Sequence, residues 1–336
     1  MKDLTVSPID RQNILNNREA VESIQTYIGM VGMLFESQYR FTRQQLSDFY
    51  GIDSSTIDRY LSQNEAELKH NGYVNLKGKA LKDFKEQFGH ILVEGAKAPQ
   101  LGVFNFRAFL NLGMLLTESE KAKALRSKIL DIVIDTLNQK VGGTTKFINQ
   151  REEDFLVALA REPVYRKEFT DALNKYLEMG NYKYAVYTDA IYKAIFLEKA
   201  SEYKVILKLE NKENPRDTMY SEVLRLIASF EVGIADAMKA KCEELGRKLQ
   251  PGELNVLIET FARQRMWKPQ IEDARSKMAS RDYGLRNIIH KRLEPYINSL
   301  SQVDYDKFLG DKSKDLLHRV MENPELLEVF KRLKDR

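Results

Sequence analysis

Apolar and polar positions along the chain alternate with the period of helices almost throughout. In "REAVESIQTYIGMVGMLFE" (18–36), Val21, Ile24, Ile28, Val31 and Phe35 recur on one helical face. Gly29 and Gly32 are expected on consecutive turns of that helix, where a neighbouring backbone packs closely. Two shorter amphipathic runs follow in "FTRQQLSDFYGIDSSTIDRYL" (41–61). Thr42 is placed to cap a helix that buries Leu46 and Phe49, Gly51 supplies a sharp turn, and Ile52 points inward as a plug. Asp53 or Ser54 then caps a second helix, with Ile57, Tyr60 and Leu61 on its inner face.

Turn chemistry interrupts the pattern next. Asn71-Gly72 and Lys77-Gly78-Lys79 bracket a short extended piece, which predicts a basic hairpin. "GAKAPQLG" (95–102) reads as a breaker-rich connection. Two helices are expected over "FRAFLNLGMLL" and "SEKAKALRSKILDIVIDTLNQ"; Glu118 or Ser119 would cap the second poorly, and Thr117 with Glu120 makes a fair capping box. "KVGGTTK" (140–146) is the clearest linker. Beyond it the chain is helical. One helix is expected from Asn149 and another from Pro163, the latter stopped by Gly180-Asn181. One long helix lies between Asn214-Pro215 and Gly246, and shorter helices are punctuated by Pro269, Gly284, Pro295, Gly310 and Pro324. The fold class predicted is mainly α: an N-terminal winged helix-turn-helix followed by an all-helical body. Its expected divisions are a head over 1–94, a helical extension over 95–141, a body over 147–250 and a C-terminal helical region over 251–336.

Composition narrows the setting. With 336 residues, 43% hydrophobic and 30% charged, the chain has material for real cores. The net charge of +4 permits a polyanionic partner without requiring one. Cys242 is the only cysteine, so no internal disulfide forms, as suits a reducing compartment. "MKDLTVSPIDRQNILNN" lacks the apolar core of a signal peptide, and no run reaches bilayer length. The expectation is a cytoplasmic protein with no membrane partner.

The candidate chemistry is nucleic-acid recognition. Ser54, Ser55, Thr56 and Arg59 lie outward near the start of the second short helix, the part of a recognition helix that meets base edges. Arg43, Lys77 and Lys79 are candidates to neutralise phosphates. Asp48, Asp53, Asp58, Glu65 and Glu67 crowd the same segment, and a capped helical hairpin used only for packing is the competing account.

The same stretch resembles the start of the virulence RhuM family of DNA-binding-type proteins. The matching residues are Thr42, Gln45, Leu46, Phe49, Tyr50, Gly51, Ile52, Ser55, Thr56, Ile57 and Arg59. "FNFRAFLNLGMLLTESEKAKALRSKILDIVIDTL" (104–137) is similar to the family's second landmark, with Asn105 and Phe106 in it and Lys123, Arg126 and Lys128 on the helix after it. "YTDAIYKAIFLEKASEYKVI" (187–206) is a weaker third match, and the whole spans roughly residues 35–260. The chain departs from the family at Phe41 and Arg43 and between the hairpin and Phe104. The resemblance implies a protein of bacterial chromosomes, prophages and mobile elements, similar to phage antirepressor-type regulators. It points to double-stranded DNA as partner and to transcription regulation linked to a mobile element or phage response.

A second basic stretch spans 263–292. Arg263, Arg265, Lys268, Arg275, Arg281 and Arg286 form a candidate secondary phosphate patch, with Trp267 and Tyr283 interleaved and only Glu272, Asp273 and Asp282 opposing. The alternative is a helical surface paired with acids elsewhere. Catalytic readings are weaker. His70, His90, His290 and His318 never stand at metal-ligand spacing, and no phosphate loop, nucleophile elbow or dinucleotide fingerprint occurs. Neither metal nor cofactor is expected, and no catalytic residue is assigned. A homodimer is expected to present two reading heads, through 18–36 or the 215–245 helix. Two other readings stay open: a helical effector, toxin or phage-defence protein with a site in 147–260, and a non-catalytic protein-interaction module.

Overall fold

The structure, a computed structural model, describes residues 3–90, 92, 98–142 and 144–310. Pro324, His318, Gly143 and part of the 95–102 connection lie outside the described residues. Contacts divide the chain into two compact units, Met1–Gln139 and Lys140–Arg336.

The first unit runs α1 (Pro8–Asn16), α2 (Arg18–Ile28), β1 (Met33–Phe35), β2 (Gln38–Thr42), α3 (Arg43–Tyr50), α4 (Ser54–Gln63) and α5 (Glu65–His70). It continues with β3 (Tyr73–Lys77), α6 (Gly78–Phe88), β4 (Gln100–Phe104), α7 (Phe106–Leu115) and α8 (Glu120–Val141). The strands form one sheet in the order β1-β2-β4-β3, every pair antiparallel. Because side chains alternate across a pleated strand, the sheet serves two cores. Phe41 and Phe104 join Leu46, Ile57 and Phe109 in one, while Leu76 and Val103 join Leu81 and Phe84 of α6 in the other.

Three expectations change here. The helix predicted over 18–36 stops at Ile28, because Gly29 takes a left-handed conformation (φ 63°) that closes it. The chain then forms the β1–β2 hairpin. Gly32 does meet a neighbouring backbone, since a Cβ there would sit 3.0 Å from the Arg40 carbonyl oxygen and 2.9 Å from the Phe41 ring. Second, Lys77-Gly78-Lys79 is not a hairpin tip. It is the junction of β3 and α6, and the sheet partner of β3 is β4, paired from Tyr73–Phe104 to Lys77–Gln100. β4, beyond residue 94, lies between β2 and β3 in the same sheet. Third, Ser119 caps α8 in place of Thr117. Its hydroxyl accepts the Ala122 N–H at 3.0 Å and donates to the Tyr50 carbonyl at 2.6 Å.

The second unit is helical: α9 (Phe155–Tyr176), α10 (Lys183–Phe196), α11 (Ala200–Ile206), α12 (Ser221–Leu245), α13 (Pro251–Ala262), α14 (Lys268–Arg286) and α15 (Gln302–Phe308). Tight 3-10 turns occupy Ile148–Arg151, Pro215–Thr218 and Lys291–Tyr296. α9 runs through Pro163 instead of starting there. A proline inside a helix costs a hydrogen bond, about 3 kcal/mol in an isolated helix. Burial on both sides of it, by Leu156, Leu159, Phe169 and Leu173, together with long packing against α12, holds the helix continuous. The long helix begins only at Ser221, because Pro215–Thr218 forms its own turn.

Candidate nucleic-acid interface

The helical pair α3–α4 is built as its sequence suggests. Thr42 and Gln45 form a reciprocal capping box at the start of α3. Gly51, left-handed at φ 64°, closes α3, and its N–H reaches the Ser47 carbonyl at 2.9 Å. The Ser47 hydroxyl donates to the Ile52 carbonyl and pins the three-residue turn. The pair is fixed to α7 by aromatic contacts. The Tyr50 ring stacks on Phe109 at 5.2 Å, and its hydroxyl donates to the Phe109 carbonyl at 2.9 Å. Burial pushes the Tyr50 phenol well above its ordinary range. Phe49, expected to be buried, is half-buried and meets Phe109 edge-on at 5.0 Å.

On α4, Ile57 and Tyr60 face the core. Ser55, Asp58 and Arg59 are exposed, and Ser54 and Thr56 are half-buried. Asp53 occupies the N-cap without a side-chain capping bond. Both arginines of the pair already hold carboxylates. Arg43 Nη1 donates to both oxygens of Asp58, at 2.7 and 2.8 Å, and so ties α3 to α4. Arg59 pairs with Glu118, from the turn between α7 and α8, and its guanidinium lies 5.3 Å from the Tyr60 ring centre. The Tyr60 hydroxyl donates to the other Glu118 oxygen at 2.8 Å and accepts the Thr117 N–H at 3.1 Å. That hydroxyl bond, helped by Arg59, holds the Glu118 carboxyl below the usual glutamate range.

The structure thus brings Arg43, Ser54, Ser55, Thr56 and Arg59 together on one helical pair. Lys77 and Lys79 are exposed at the far end of β3, four residues and about 13 Å along the strand from Tyr73. Between α3, α4 and the β3–β4 strands opens a cleft of about 470 Å³, lined among others by Arg43, Asp58, Tyr73, Asn75, Gln100 and Gly102. Glu118 is the site residue that sequence reasoning missed. No periodicity ties position 118 to position 59.

The basic stretch of the second unit is divided between surface and interior. Arg263, Arg265 and Lys268 are exposed, with Glu259 3.8 Å from Arg263 and Glu272 4.0 Å from Lys268. Arg275 turns inward, donating to the carbonyls of Ala194 and Ile195 at 3.1 and 2.6 Å at the end of α10. Arg281 and Arg286 are buried around Asp282. Asp282 also accepts from the Tyr203 hydroxyl at 3.0 Å and contacts His290 Nε2 at 2.8 Å, while His290 Nδ1 meets Glu198 at 2.8 Å. These groups pair with one another inside the helical unit. Arg281 Nη1 is buried without a hydrogen-bond partner, and its guanidinium lies 4.6 Å from the Tyr220 ring centre. A second buried network sets Arg216 between Glu162 and Glu231 and joins α9 to α12.

Among the described residues no group of His, Cys, Asp and Glu is arranged to hold a metal ion, and no helix is long and apolar enough to cross a membrane. No family model matches the chain, and no curated protein matches it.

Proposed function

We propose that the N-terminal unit binds double-stranded DNA, with the protein acting as a transcriptional regulator tied to a mobile element or phage response. The observation that carries this reading is the order of elements around α3 and α4. A helix (α2) precedes the β1–β2 hairpin, then come the α3–turn–α4 pair, the short α5, β3, α6 and β4, with β4 hydrogen-bonded between β2 and β3. Setting aside β1, α5 and α6, the order is helix, strand, helical pair and two strands. Winged helix-turn-helix domains share that order. In this chain α6 stands in the place of the wing loop, with Lys79 and Lys82 exposed on it and Lys77 at its start. The resemblance to the virulence RhuM family supports the same reading and is the ground for its mobile-element setting.

In this reading α4 enters the major groove by its N-terminal half. Ser54, Ser55, Thr56 and Arg59 contact bases and phosphates, and Arg43, Lys77 and Lys79 neutralise the backbone. One head of this size has limited affinity, and a homodimer would present two. The test is duplex binding at two salt concentrations. Affinity should fall steeply with salt, and Arg59→Ala should weaken it by about tenfold. No retention of duplex at low salt would remove the proposal. It would favour a protein-interaction module instead, for which Asp58 and Glu118 on the two arginines already speak.

A further inference from the structure

We propose that Glu118 is a built-in competitor for phosphate at Arg59, so that the reading head is held in check by a carboxylate from its own unit. The proposal rests on the DNA reading above and concerns the regulation of that site. Three observations carry it. Arg59 and Glu118 are paired across 59 positions of sequence, and both side chains are about half exposed (49% and 45%), so the pair sits at the surface where a ligand would arrive. Glu118 is placed by more than Arg59. The Tyr60 hydroxyl bonds its second oxygen at 2.8 Å, and the backbone N–H of Thr117 bonds the same hydroxyl at 3.1 Å. The turn that carries it is fastened to α3 by the Ser119 hydroxyl on the Tyr50 carbonyl, at 2.6 Å. The carboxylate is therefore held at the guanidinium, as a phosphate oxygen would be.

The energetics suit a gate instead of a lock. An exposed ion pair is weakly held and a phosphate can take its place. The displaced carboxylate stays nearby, however, tethered to Tyr60, and repels the incoming phosphate. At contact distance in a water-like dielectric one such charge changes affinity by about fivefold, more where the interface excludes water. Arg43 is held in a like manner by Asp58, but Asp58 lies on α4 itself. Glu118 is the one supplied from another element.

The experiment measures binding of a mixed-sequence duplex at low salt to the full chain and to four variants, Glu118→Gln, Arg59→Ala, the two combined, and Glu65→Gln. Glu118→Gln keeps one oxygen to accept from the Tyr60 hydroxyl and removes the charge, and it should raise affinity about fivefold or more. In the Arg59→Ala background the same change should have little effect, since the competed guanidinium is gone. Glu65→Gln removes a charge from the exposed Lys69 pair on α5 and should change affinity much less. Equal gains from Glu118→Gln and Glu65→Gln would overturn the gate in favour of a general charge effect. Duplex binding that needs Arg59 but ignores Glu118→Gln would overturn the gate and leave the DNA reading standing. No binding by any form would overturn the DNA reading itself, and the gate with it.

Discussion

The imidazole of His290 stands 2.8 Å from the carboxylate of Asp282 inside the helical unit, with both side chains wholly buried. The opposite ring nitrogen meets Glu198 at 2.8 Å, so the ring donates at both ends and carries a proton. Burial by itself would lower its pKa. The hydrogen bonds to Asp282 and Glu198 outweigh that and push it up to about 9.

A pH dependence follows. The folded value lies above the ordinary one of about 6.5. The stabilisation from this proton is therefore fully present below pH 6.5 and is lost as pH rises through about 9. It amounts to roughly 3 kcal/mol. Thermal unfolding of the second unit followed from pH 6 to 10 should show the melting temperature falling between about 7 and 9.5. His290→Gln should be less stable at pH 6 and lose most of this slope. A wild-type profile flat to pH 9.5 would contradict the charged ring.

The buried Arg216 network makes a second prediction. Its guanidinium is held by Glu162 and Glu231, all three nearly or wholly inaccessible. Arg216→Met strands the Glu162 carboxylate and leaves Glu231 only Arg166, at 3.7 Å, and should cost about 3–5 kcal/mol, read by urea denaturation. Adding Glu162→Gln and Glu231→Gln should restore part of that loss, because no buried carboxylate is then left; Arg166, which loses Glu231, is partly exposed. An Arg216→Met protein as stable as wild type would show that the network carries no weight.

Gly113 tests how α3 is seated on α7. A Cβ at this position would lie 2.4 Å from the Tyr50 hydroxyl and 2.8 Å from its ring carbon Cζ. The Tyr50 ring is already fixed by its stack on Phe109. Gly113→Ala should therefore destabilise the first unit by about 1–3 kcal/mol, despite the better helix propensity of alanine. Combined with Tyr50→Leu, the alanine should be tolerated. Calorimetry of the single and double variants distinguishes overpacking from an effect of propensity alone.

The basic stretch gives a prediction that separates its two halves. Arg263→Ala, Arg265→Ala and Lys268→Ala, all at exposed positions, should each leave stability within about 0.5 kcal/mol. Arg281→Ala removes a buried guanidinium that donates to the Thr218 carbonyl at 2.7 Å and neighbours Asp282. It should lower the stability of the second unit by several times that amount. Equal behaviour of the two groups in a melting series would contradict their different placement.

Local chemistry was legible in the chain wherever neighbours in sequence are neighbours in space. The Thr42 cap, the Gly51 turn, the inward Ile57 and Tyr60, and the end of α12 at Gly246 follow from helical period and from what glycine permits. The mainly helical character follows from the same period. Where sequence separation is large, the chain was silent. β3 and β4 pair across α6 and a further connection, so a lysine-bearing turn resembled a hairpin tip although it opens a helix. Gly29 ends α2 because a left-handed residue suits the chain reversal into β1, a choice that helical periodicity does not register. Pro163 sits inside α9 because packing along α12 outweighs local preference.

Charge shows the same division. The sequence by itself determined which residues are basic, but a one-dimensional count does not say which acids face them. Arg59 acquires Glu118, Arg216 acquires Glu162 and Glu231, and Arg281 and Arg286 are drawn in around Asp282 only when distant helices meet. Local steric rules and side-chain periodicity thus set the elements and the α3–α4 head. The tertiary structure alone decided which of its charges are already spoken for, because Coulomb partners are chosen by distance in space and not along the chain.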